Sequence, residues 1–170
     1  MEKLKQIYQS LNIDNITPEN ALFEECPKAL LIDAGVDVFN REIKMHHKAY
    51  QQWLLMKSSA QQQGIDLQIV SAFRSYAYQA EIIKRKLKSG QALTDIIKVS
   101  ALPGFSEHHT GCALDLTTSG ESEVLTENFE KTQAFTWLME NAHQFSFILS
   151  YPKNNDKGFI YEPWHWCYQL

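Results

Sequence analysis

The sequence predicts an α+β fold: a small single domain with helices packed on an antiparallel sheet. Helical periodicity dominates the first part of the chain, and most short β-type runs come late. Size is the third observation, since 170 residues with 44% apolar and 21% charged side chains suffice for one buried core. No internal repeat, low-complexity run or Pro/Ser-rich linker divides the chain. Residues 1–170 therefore read as one domain, with 1–64 as a helical N-terminal part and 65–170 as the core that carries the chemistry.

Met1 to Leu11 has the pattern of a short helix. Asn12 to Lys28 is turn-rich, with Pro18 and Pro27. Ala29 to Val38 is mostly apolar but broken by Gly35, which leaves its type open. Asn40 to Gln63 reads as a long helix, because Ile43, His47, Tyr50, Leu54 and Leu55 fall on one stripe. Gly64 stands where a helix C-cap belongs. Ile65 to Phe73 alternates and is β-branched, so it reads as a strand. Tyr76 to Lys88 is helical, with Ala80, Ile83 and Leu87 on one face and Gly90 after it. Leu93 to Ala101 is ambiguous, and Pro103-Gly104 is a turn.

Gly111 to Thr117 reads as a strand with Ala113 and Asp115 facing one way and Cys112, Leu114 and Leu116 the other. Glu127 to His143 reads as a helix carrying Phe135, Trp137, Leu138 and Ala142. Phe145 to Tyr151 and Gly158 to Tyr161 read as strands around a polar turn, Lys153 to Lys157. Trp164 to Tyr168 is a last strand.

Composition excludes several function classes. Net charge is −4 with both signs mixed along the chain, so no basic stripe marks a nucleic-acid surface. The densest basic cluster, Lys84-Arg85-Lys86 with Lys88, reads as a solvated helix face. Cys26, Cys112 and Cys167 are odd in number and far apart, which is no disulfide framework. The N-terminus lacks the apolar run of a signal peptide, and no stretch has the length of a membrane span. The chain as given is expected in the cytoplasm, or in the periplasm or cell envelope if an export signal was removed. A monomer with no nucleic-acid or membrane partner is expected.

The chemistry is concentrated in Pro103 to Asp115 and in Glu162-Pro163-Trp164-His165. His108 and Asp115 form a near pair, and His165 is the remote third. Two histidines and a carboxylate are a ligand set for catalytic zinc, which leaves one position to water; non-haem iron uses a similar set. Gly111 and the β-like run after it argue against one helix holding both His108 and Asp115. A loop delivers the first and a strand the second. Pro163 keeps Glu162 extended, so Glu-x-x-His is no helical motif here. Glu162 can then approach the metal without ligating it and take the attacking water's proton. His109, next to His108, should point elsewhere. His46-His47 and His143 read as ordinary helix residues, and Cys112 as a small core residue.

Ser106, His108 and Asp115 in a Gly-x-Ala-x-Asp context, followed by Glu-x-Trp-His, resemble the VanY-type D-alanyl-D-alanine carboxypeptidases. That metallopeptidase family includes L,D-carboxypeptidases. Ser71-Ala72-Phe73-Arg74-Ser75-Tyr76 with Gln79 matches the family's strand-end Arg-Ser and following Gln. The resemblance covers about Ile65 to Tyr168, three motifs in order. It implies the small α+β fold shared with Hedgehog signalling domains. It implies His108, Asp115 and His165 as ligands of one catalytic Zn2+, and Glu162 as catalytic base. Arg74 would hold the developing oxyanion or a substrate carboxylate, which its planar fork suits. Ser106 would bind the substrate's terminal carboxylate, with Gln79 and Ser75 as further pocket residues.

Ser146 departs from a Gly common in relatives, and Ser150 and Cys167 stand where many have Arg. These departures leave the metal and base positions intact and bear on the substrate pocket. The implied partner is a peptidoglycan stem peptide or muropeptide that loses its terminal D-Ala. L,D-carboxypeptidase, D-Ala-D-Ala dipeptidase and a zinc-stabilised peptide-binding module without catalysis are the competing readings.

Overall fold

The computed structural model describes residues 2–13 and 23–170. Among these residues, five α-helices, α1 (Glu2–Ser10), α2 (His47–Gln62), α3 (Tyr76–Lys88), α4 (Leu93–Val99) and α5 (Gln133–Asn141), accompany six strands. The strands are β1 (Leu31–Val36), β2 (Glu42–His46), β3 (Gln68–Ser71), β4 (Ala113–Thr117), β5 (Phe147–Leu149) and β6 (His165–Tyr168). β1 and β2 form an antiparallel hairpin, and the other four make an antiparallel sheet in the order β3-β4-β6-β5. The α+β class holds, as does the antiparallel sheet. No helix among the described residues is long and apolar enough to cross a membrane.

The main core lies between the four-stranded sheet and helices α2 and α5. Trp53, Met56, Leu114, Leu116, Trp137, Leu138, Phe147 and Trp166 fill it. A second cluster joins α1 to α3 and α4 through Leu4, Tyr8, Tyr76, Ala80, Ile83 and Ile96. The Tyr8 hydroxyl donates to the Pro103 carbonyl at 2.7 Å, which ties α1 to the segment leading into the site. β4 is buried along its whole length. Its alternation therefore sorts core side chains from site side chains, not buried ones from exposed ones.

Several elements differ from the sequence reading. The helix expected over 40–63 starts only at His47, because Glu42–His46 pairs with β1 as a strand. The expected stripe also fails. Leu54 and Leu55 are 47% and 56% exposed, whereas Ala49, Trp53, Met56 and Ala60 are buried. Those four repeat at helical spacing too, and all belong to the main core. The N-terminal part is thus not purely helical. The strand expected over Ile65 to Phe73 shortens to Gln68–Ser71.

Gly158 to Tyr161 forms no strand; Ile160 makes a single backbone bond to the Lys98 carbonyl instead. The helix expected over 127–143 divides at Thr132, whose hydroxyl accepts from the Phe135 amide as an N-cap. Ambiguous 93–101 resolves as α4, and 29–38 yields β1. Pro18 lies outside the described residues. Ser146 has φ +60° at the end of the turn before β5. That left-handed conformation is one glycine adopts at no steric cost.

Candidate metal centre

Asp115 and His165 are cross-strand partners in the β4–β6 register, and Asp115 also pairs with Ser71 on β3. Directly opposed side chains on one sheet face are close neighbours. The sheet itself therefore brings together two residues fifty positions apart in sequence. His108 comes from a short 3-10 turn, Glu107–Thr110, ended by Gly111 in the left-handed region. The Arg74 amide donates to the His108 carbonyl at 3.1 Å, and His108 Nδ1 lies 2.7 Å from the Ala72 carbonyl. These bonds fasten the turn to the end of β3. A Cβ on Gly111 would lie 2.8 Å from the His46 backbone nitrogen, so the β1–β2 hairpin presses against the same turn.

The result is a compact donor set. One donor atom each from His108, Asp115 and His165 lies within 4.8 Å of the others, and all three residues are buried. The rings of His108 and His165 meet edge to face at 5.0 Å. His108 Nδ1 is committed to the Ala72 carbonyl, so Nε2 is the available donor. It sits 3.2 Å from Asp115 Oδ2 and makes no well-directed hydrogen bond, a buried polar nitrogen with no partner among the described residues. Buried nitrogens are seldom left so. His165 Nδ1 lies 3.1 Å from Asp115 Oδ1 and 3.8 Å from Glu162 Oε2. Two imidazoles and a carboxylate, one imidazole nitrogen without a protein partner, fit a divalent cation of the zinc type.

The electrostatics separate the groups. Burial, then the charge of Arg74, pushes His108 down to about 4, so it is neutral at neutral pH. For His165 burial works the same way. Its bonds to Asp115 and Glu107 outweigh that and raise it to about 9. Burial opposes ionisation of Asp115, but His108, His165 and Arg74 together hold its carboxyl well below the usual range. Because His108 is itself neutral, the charges that act on Asp115 at neutral pH are those of His165 and Arg74. Glu162 moves the other way. Burial foremost, aided by the Asp115 and Glu107 charges and opposed by His165 and Arg74, raises it to about 7.

Arg74 stands beside this centre. One of its terminal nitrogens is 2.9 Å from Asp115 Oδ2, and the other donates to Gln79 Oε1 at 3.2 Å. Gln79 is buried and donates in turn to the Ala101 carbonyl at 2.6 Å, so it orients Arg74 and does not itself line the clefts. Ser75 is the N-cap of α3, its hydroxyl accepting from the Tyr78 amide at 3.1 Å. The structure does not bring Ser75 to the cleft. Ser106 is buried and lines the small recess formed with His108, Tyr151, Glu162 and His165. That recess adjoins a cleft of about 430 Å3 lined by Arg74, Lys86, Asp115, Ile160, Glu162 and Trp164 among others.

The sequence reading missed two residues, Glu107 and Lys86. Glu107 is buried against His165, a role that its place between Ser106 and His108 does not announce. His109 points away from the donor set, as expected, yet it is fully buried. It lies 2.6 Å from the Arg74 carbonyl through Nδ1 and accepts from the Gly104 amide through Nε2. Lys86, read as a solvated helix residue, instead lines the cleft half-buried and donates to Ser100 at 2.8 Å. Its place one turn from Ile83, on the edge of the buried face of α3, was the available signal.

Comparison with known proteins adds the family. Residues 42–170 match VanY, described as D-alanyl-D-alanine carboxypeptidase. The chain is 36% identical over 117 residues to YodJ of Bacillus subtilis (strain 168), a protein provisionally named a carboxypeptidase; the match covers 66% of this chain and 42% of YodJ. It is 32% identical over 108 residues to VanXYC of Enterococcus gallinarum, a bifunctional D-Ala-D-Ala dipeptidase and carboxypeptidase; 61% of this chain and 56% of that protein are covered. Among solved structures, the LdcB LD-carboxypeptidase superposes with a TM-score of 0.75 at 31% identity, covering 87% of this chain and 70% of LdcB. The chain spans about half the length of the curated relatives it matches.

Proposed function

This chain belongs to the VanY family of D-alanyl-D-alanine carboxypeptidases, and we propose that it is a zinc-dependent carboxypeptidase that removes the terminal D-Ala from peptidoglycan stem peptides. The observation that carries the reading is the buried triad of His108 Nε2, Asp115 and His165 Nδ1, with Glu162 Oε2 3.8 Å from the last. Zinc, held by those three residues, would polarise the scissile carbonyl and make water acidic enough to attack at neutral pH.

The protein's own groups do the rest. Glu162, raised to about 7 and aimed into the recess, takes the proton of the attacking water at a carboxylate oxygen. It then returns that proton to the leaving amine. A carboxyl near neutrality suits both halves of that transfer. Arg74, locked by Gln79 and Asp115, supplies a fixed positive charge where the carbonyl oxygen gains its negative one. Ser106 binds the substrate's terminal carboxylate from the floor of the recess. Arg41, Arg74, Arg85 and Lys86 along the cleft favour a substrate carrying carboxylates.

The same zinc core serves L,D-carboxypeptidase and dipeptidase chemistry. The likeness to LdcB gives the L,D reading particular weight as the alternative. Mass spectrometry of muramyl pentapeptide, muramyl tetrapeptide and free D-Ala-D-Ala after exposure to the protein separates the three. Loss of one D-Ala from the pentapeptide supports the proposal. Loss from the tetrapeptide alone establishes the L,D alternative, and cleavage of the dipeptide alone the dipeptidase. No cleavage of any of the three contradicts the catalytic reading.

A further inference from the structure

We propose that Glu107 is the positioning residue that fixes His165 as a metal ligand through Nδ1, and that Ser150 and Lys157 hold Glu107 for that task. The inference rests on the metal-site reading above. His165 Nε2 lies 3.0 Å from Glu107 Oε2, on the side of the ring away from Asp115 and Glu162. A carboxylate has only acceptors, so the bond requires the hydrogen on Nε2. That leaves Nδ1, which faces Asp115, to supply its lone pair to a cation. With no acceptor at that position, the ring could adopt the other tautomer or rotate, and either change removes the donor from the triad.

Glu107 is itself held from two sides. The Ser150 hydroxyl donates to the same Oε2 at 2.5 Å, and Lys157 Nζ lies 3.3 Å from Oε1. Glu107, Ser150 and His165 are all buried. Both carboxylate oxygens are therefore engaged, and the plane that meets His165 is set. Ser150 follows β5 directly, and its amide bonds the His165 carbonyl at 3.3 Å. Backbone and side chain of Ser150 thus act on the same ligand. Lys157 comes from the polar 153–157 turn, two residues before Phe159, which lines the recess. Partners of this kind orient metal-bound imidazoles and raise their donor strength, and losing one typically costs about 10–100-fold in metal affinity.

The test measures zinc affinity by competition with a chromophoric chelator, at one pH for every variant. Glu107→Ala should bind zinc about 10–100-fold more weakly than the unaltered protein. Glu107→Gln, which keeps an acceptor oxygen for Nε2–H, should bind more tightly than Glu107→Ala. A merely structural role would not order the two variants this way if their metal-free circular dichroism matches. If Glu107→Ala does not fold, Ser150→Ala provides the test: it keeps the carboxylate, frees its plane, and should show a smaller loss of affinity. Equal affinity in Glu107→Ala and the unaltered protein overturns the inference, as does Glu107→Gln binding no better than Glu107→Ala. Where Ser150→Ala stands in, unchanged affinity overturns it. An unaltered protein that binds no zinc overturns the metal reading itself, and this inference with it.

Discussion

The two sides of the donor set are built on different principles. His108 comes from a turn, and backbone holds it: its Nδ1 meets the Ala72 carbonyl and burial keeps it neutral. His165 comes from the central sheet, and carboxylates hold it on both nitrogens, which keeps it protonated in the metal-free protein. One ligand is ready for a cation as it stands, and the other must first release a proton. On the proposed metal reading, the pH dependence of binding therefore comes from the sheet side.

Removing a ligand breaks the comparison most severely. His165→Ala should lose more zinc affinity than the about 10–100-fold typical of a supporting partner, read by chelator competition. The pH dependence comes next. Zinc must displace the His165 proton, so apparent affinity should climb by about tenfold per pH unit from neutrality and level off near pH 9. His108, already neutral above about pH 4, adds no slope in that range. An affinity that does not change between pH 7 and 9 would show that His165 is not protonated before binding. Stability of the metal-free protein carries the same sign. A folded value above the ordinary one means His165 stabilises the fold fully below about pH 6.5. That contribution is lost as pH rises through about 9.

On the turn side, Gly111→Ala should destabilise the protein by about 2–4 kcal/mol in denaturant unfolding. The left-handed φ and the close approach to His46 both act against a Cβ. Lys157→Ala should cost less than about 1 kcal/mol, since its ion pair with Glu107 is half exposed. Ser146→Gly should stabilise by about 1 kcal/mol, relieving a left-handed serine.

Much of this was legible in the sequence, for reasons the residues make plain. That His108, Asp115 and His165 come together with Glu162 beside them was readable, because such a donor set restricts residue types tightly and the motifs keep their order. The helix over Tyr76–Lys88 was readable from its apolar spacing and from Gly90 after it. The Glu42–His46 strand was not. Its residues continue a helical pattern into α2, and only the pairing with Leu31–Val36, a tertiary fact, decides otherwise. Leu54 and Leu55 misled because the stripe was assigned by hydrophobicity, whereas the face of α2 that joins the main core carries Ala49 and Ala60. Glu107 stayed hidden because a charged residue beside a histidine has no pattern of its own. Its role exists only once β6 brings His165 against the turn.

The most direct measurement pairs zinc content with turnover for Glu162→Gln. The Glu162 carbonyl accepts from the His165 amide at 3.1 Å, a backbone bond that the substitution keeps, and the side chain serves, on this account, only to move protons. The variant should bind zinc in the same stoichiometry as the unaltered protein while releasing D-Ala from muramyl peptides about 100–10,000-fold more slowly. Full turnover with zinc retained would contradict the account, because the proton would then travel by another route.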